Sequence, residues 1–181
     1  MFTAIGFFEF PEIQTGSEAY GGTVFYVDNT NRHGLVVGPY DLGNWGSSAY
    51  NTPSYQLQIV NSALGTYVYS SIGGGKTITD ILIADNNSSW IGDLATYNAT
   101  SSYSDFYLPN KTELANLMGY WRNGGTIPNM ALSLARSPSY RSVEEVQSNQ
   151  LQKAWFWDAD INATTQGDKL STLPFRPIRE F

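Results

Sequence analysis

The chain has 181 residues, of which only 26 are Asp, Glu, Lys or Arg, with 10 Lys and Arg and a net charge of −6; nucleic-acid binding, which needs clustered cations against phosphate, is excluded. Aromatic residues make up 14% and Cys is absent, which excludes charge-driven disorder, disulfides, zinc–thiolate sites and a cysteine nucleophile. No stretch approaches the roughly 18 apolar residues of a membrane span, and the length suits one domain.

Residues 1–15 read as an arm. Phe2, Ile5, Phe7, Phe8, Phe10 and Ile13 are too apolar for a free tail, while Gly6 and Pro11 argue against a helix. An edge strand of the same domain and a docking strand that adds to a partner's sheet both suit this pattern. The arm has no basic leader and Glu9 interrupts its apolar run, so a secretory signal is not expected. The domain itself is expected over residues 16–181.

After Gly21-Gly22, Thr23–Val27 reads as a strand, Asp28–Gly34 as a turn, and Leu35–Val37 as the returning strand of a hairpin. Residues 38–56 hold no period and read as a long loop; Leu57–Val60 and Thr66–Ile72 read as short strands. Thr77 with Asp80 predicts a helix start, with Ile78, Ile81 and Leu82 on one face. A second helix is expected from Ser89 through Trp90, Ile91, Leu94 and Ala95. The third is capped by Asn110 with Glu113 in the reciprocal position, presents Leu114, Leu117, Met118 and Trp121 on one stripe, and stops at Gly124-Gly125. Ala154–Asp158 is a strand with Trp155 and Trp157 on one face, and Leu173–Arg179 is the terminal strand. The order strands, helices, strands predicts an α+β domain with a mostly antiparallel sheet.

Few residues suggest chemistry. Ser71–Thr77 resembles part of a phosphate loop, but the position of its first Gly holds Ser70, so a turn is the better reading. His33, the lone histidine, stands in a turn without a second His or Cys, and no Ser–His–acid arrangement stands out. Asp41, Asp158, Asp160 and Asp168 could offer oxygen ligands to calcium, with Asp158 and Asp160 the best pair, although acidic residues after a strand are more often solvated. Asn86, Asn87, Asn98, Asn110 and Asn162 each open an Asn-x-Ser/Thr triplet, as chance allows in a chain so rich in Asn, Ser and Thr. No sequence feature favours a carboxylate pair for glycoside hydrolysis.

Several phrases together resemble the Lcl C-terminal domain family, a C-type-lectin-like fold of bacterial surface and phage structural proteins. Tyr20–Asp28 followed by His33–Val37 resembles its opening hairpin. Tyr103–Leu114 resembles its central "DWYLPSKDEL" phrase, which leads into a helix. Ala154–Asp158 and Phe175–Arg179 stand in the places of its closing strands. The resemblance covers about residues 18–181 and implies a C-type-lectin-like fold with short antiparallel strands, two to three helices and long loops. It departs at Tyr140–Val143, where the family has a Tyr-Trp-Ser-Ser phrase. Leu108–Asn110 and Ile127–Asn129 lack the acidic or amide residue that calcium-dependent lectins place before Pro, so calcium-mediated sugar binding is not implied. The related formylglycine-generating enzymes depend on cysteines, which this chain lacks. A fold is not a function, which rests on the site.

The expectation is a non-enzymatic virion surface protein, a head decoration, fibre or tail component, whose lectin-like module attaches to a host surface or its glycans. Trp45, Tyr50, Tyr55, Tyr97 and Tyr103 stand among Ser, Asn, Gly and Thr in the loops, a mixture of rigid aromatic anchors and short hydrogen-bonding groups found in paratopes; Tyr107, inside the family phrase, belongs equally to a core. The alternatives are a purely structural decoration protein without a ligand, or a bacterial surface adhesin. No cofactor is expected, with calcium at Asp158 and Asp160 left open. Expected partners are other virion or surface proteins through the arm and a host glycan or receptor, with no nucleic acid or membrane insertion. Display as a homo-oligomer or multi-copy array would add avidity.

Overall fold

A computed structural model describes residues 12–42, 71–85, 94–98, 101–130, 140–145, 153–158, 160–168 and 173–181. Two antiparallel sheets flank a helical layer. The first holds β1 (Glu18–Ala19), β2 (Gly22–Val27), β3 (Gly34–Val37) and β7 (Ile178–Glu180), in the order β1-β2-β3-β7; the second holds β4 (Tyr140–Glu145), β5 (Lys153–Asp158) and β6 (Ala163–Asp168), in the order β4-β5-β6. Helix α1 spans Gly74–Asp85 and helix α2 spans Lys111–Arg122. The architecture is α+β with antiparallel sheets.

The hairpin forms where β-branched and aromatic residues flank turn chemistry. Asp28 closes the turn by accepting from the Thr30 amide at 2.9 Å and its hydroxyl at 2.6 Å, and Asn31 takes the left-handed conformation at φ 56° that Asn tolerates better than most residues. The ladder slips between Val24 and Tyr26, a bulge that bends β2. Phe25 packs with Leu35, Val37, Leu117 and Ile178 in the core. β7 then pairs with β3, and Tyr107 bridges Ile178. The hairpin and the terminal strand predicted separately are thus one sheet.

Helix α2 stands between the sheets. Asn110 Oδ1 accepts from the Glu113 amide, and Glu113 Oε2 accepts from the Asn110 amide, each at 2.8 Å, the reciprocal cap expected from residue spacing alone. Leu117 faces the first sheet, while Leu114 and Met118 face Tyr140 and Trp157 of the second. All three are at most 1% exposed, and each such burial contributes about 1.5–3 kcal/mol. Gly124, at φ +91°, ends the helix in the left-handed region that favours glycine.

Three expectations need correction. The first helix starts at Gly74, not at Thr77: Gly75 is drawn into it because α1 lies against the backbone of Leu108 and Asn110, where a Cβ would stand 2.5 Å from the Leu108 carbonyl oxygen. Residues 71–72 form the turn into α1 and not the end of a strand; the rest of 57–70 lies outside the described residues. The regular terminal strand is shorter, Ile178–Glu180, because Phe175 makes only an isolated bridge to Leu42. Of the expected second helix, 94–98 is helical and residues 86–93 lie outside the described set.

Arg176 fastens four segments. It is 1% exposed, donates to Asp41 at 2.7 Å and to the carbonyls of Pro128 and Asn129, while Tyr140 donates to the other Asp41 oxygen at 3.1 Å. A buried guanidinium needs such partners, since an unpaired buried charge is costly.

Candidate functional site

Opposite its buried stripe, α2 carries a second stripe: Asn116, Gly119, Tyr120 and Asn123, spaced i, i+3, i+4, i+7 and so on one face. With Thr15 and Tyr26 they line an open groove of about 480 Å³ between α2 and β2, within the roughly 300–1,000 Å³ range of ligand sites. Hydroxyls, carboxamides and ring faces line it, with no formal charge among the described lining residues. Tyr120 is held in place by its surroundings. Its ring lies over Gly125, where a Cβ would stand 2.3 Å from Cζ, and it packs against the core cluster of Phe25 and Leu117.

At the first turn of the helix lies a buried polar junction. Glu113 is 0% exposed. Its Oε1 accepts from the Gly73 amide at 2.8 Å and from the Tyr107 hydroxyl at 3.1 Å. Burial pushes the Glu113 carboxyl up from 4.5 to about 7, against the lowering effect of its donors. Burial and the neighbouring carboxylate also push the Tyr107 phenol up, keeping it a donor. The cluster fastens the entry of α1 to the start of α2.

A third feature lies at the end of the first sheet. Arg179 grips Asp105 through Nε at 2.7 Å and Nη2 at 2.9 Å, and donates to the Tyr20 carbonyl at 3.1 Å. The guanidinium holds the Asp105 carboxyl below the usual carboxylate range. Arg179 also stacks 4.2 Å from the Tyr103 ring centre, and Tyr20 stacks on Phe181 at 4.5 Å. An adjoining groove of about 810 Å³ includes Glu12, Ile13, Tyr20, Asn31 and Arg32 in its lining.

No family model and no curated protein matches the chain.

Of the aromatic residues expected to contact a ligand, Tyr103 is on the surface, 37% exposed and braced by Arg179. Tyr97 is different: its ring packs edge-on against Phe106 at 5.2 Å and over Gly38, where a Cβ would stand 2.0 Å from the phenol oxygen. Burial pushes its phenol up to about 12. Tyr97 is a packing residue. Tyr107 is buried, as the core reading had it. Trp45, Tyr50 and Tyr55 lie outside the described residues, as do Phe2, Ile5, Phe7, Phe8 and Phe10 of the arm.

Asp158 accepts from the Asp160 amide at 2.9 Å, a turn arrangement, and among the described residues no three His, Asp or Glu gather around one point. His33 is exposed in its turn, and Lys76 of the phosphate-loop-like phrase pairs with Asp80 at 2.7 Å. No helix among the described residues is long and apolar enough to cross a membrane. The groove residues Thr15, Tyr26, Asn116, Gly119, Tyr120 and Asn123 were not expected from sequence. One signal pointed there: a polar stripe with a mid-helix Gly, set two residues away from the apolar stripe.

Proposed function

We propose that the chain is a non-enzymatic attachment module with a C-type-lectin-like fold, displayed on a virion surface, that holds a host surface ligand by contact. The observation that carries this reading is the groove on α2, where ring faces and amides converge without charge. The lectin-like fold is supported by the pairing of the opening hairpin with the closing strand and by the entry of the central phrase into a capped helix. Residues 1–15 would join the module to the particle, and many copies would turn weak single contacts into firm attachment.

The test is a glycan array combined with host-cell binding, using the full chain displayed in multiple copies. Binding to host cells and to neutral glycans is the expected result. Absence of binding to any host surface would overturn the reading.

A further inference from the structure

We propose that the α2 groove is a subsite for a single neutral hexopyranose, stacked on a tyrosine ring and held through its hydroxyls by Asn116 and Asn123. This rests on the attachment reading above and gives it an address. Gly119 stands in the middle of the polar stripe. Glycine inside a helix is less favourable than alanine and is retained where the backbone turns left-handed or a neighbour crowds the Cβ. Neither reason holds. Gly119 is not among the positive-φ glycines, and a Cβ there would meet nothing within 4 Å among the described residues. What a Cβ would take is space in the groove itself.

The rest of the lining names the occupant. A hexopyranose has a flat patch of C–H bonds, which suits an aromatic face, and a rim of hydroxyls that both donate and accept. A carboxamide also does both. Asn116, Asn123 and the Thr15 hydroxyl have no hydrogen-bond partner among the described residues, so their capacity is free for such a rim. Tyr120 is braced by Gly125 and by the core cluster it packs against, which limits the ordering cost of stacking on it. The absence of charge in the lining and the net charge of −6 both disfavour sialic or uronic acids.

The experiment takes the full chain through an array of neutral and acidic glycans. Methyl glycosides of glucose, galactose, mannose and N-acetylglucosamine are then titrated while the Asn116 and Asn123 side-chain amide signals are followed by NMR. The expected result is binding of a neutral glycan with shifts at both amides. Gly119→Ala should weaken that binding at least tenfold while raising Tm, and Asn116→Ala should weaken it with the fold intact. Wild-type binding unchanged in both variants overturns the groove as the site and leaves the attachment reading standing. Host-cell binding with no neutral glycan bound, or with acidic glycans alone bound, also overturns the groove. No binding to any surface overturns both readings.

Discussion

Two glycines of the helical layer live under opposite constraints. Gly75 in α1 has no room: a Cβ would stand 2.3 Å from Glu113 Oε2 and 2.7 Å from the Asn110 amide nitrogen. Gly119 in α2 has room: among the described residues no atom lies within 4 Å of where its Cβ would stand. The closed side of the helical layer is thus specified by the chain's own packing. On the proposed reading, the open side is kept clear for a ligand. A glycine explained by its neighbours is architecture, and one left unexplained directs attention outward.

The comparison can be broken most forcefully at Gly75. Gly75→Ala should destabilise the protein by about 3 kcal/mol, because backbone atoms on the facing segment cannot swing aside as a side-chain tip could. Chemical denaturation measures it, and a neutral result would mean that α1 and α2 are not tightly apposed.

A smaller effect comes from the carboxyl between them. The folded-state pKa of Glu113 is raised above the ordinary 4.5 to about 7, so the folded chain binds that proton more tightly than the unfolded chain does. Its contribution is fully present below about pH 4.5 and is lost as pH rises through about 7. Stability should fall by roughly 2 kcal/mol between pH 5 and 8. Glu113→Gln should flatten that slope, as denaturation followed across this range would show.

The smallest effect is the sharpest test of the open side. Gly119→Ala should stabilise the fold by about 1 kcal/mol, the ordinary helix preference for alanine with no clash to offset it. Loss of stability would show that the space is needed internally, and the contrast between the two glycines would disappear.

Local chemistry was legible in the sequence where cause and effect lie a few residues apart. The Asn110–Glu113 cap spans three positions, and the Asp28–His33 turn is written in its own residues. The start of α1 was misread because Gly73-Gly-Gly75 has the composition of a turn, and only the approach of Leu108 and Asn110 from far along the chain makes it helical. β6 was not singled out because Ala163–Asp168 lacks an alternating apolar pattern; its strand character comes from pairing with β5. Tyr97 and Tyr103 look alike in sequence, yet Gly38 and Phe106 enclose one while Arg179 braces the other at the surface. The groove draws Thr15, Tyr26 and Asn116 from three separate segments, and no spacing rule connects them.

One small junction would join the two tasks proposed for the molecule. Thr15 forms part of the groove rim, the amide of Gly16 beside it donates to Val24 at 2.7 Å, and Asn31 donates to Glu12 at 3.1 Å. If residues 1–15 tether the module to a particle, as proposed, a load on that tether would reach the groove rim at Thr15 before it reached the core. Anchorage and grip would then act mechanically in series, so a pull on the tether would also be a pull on the ligand site.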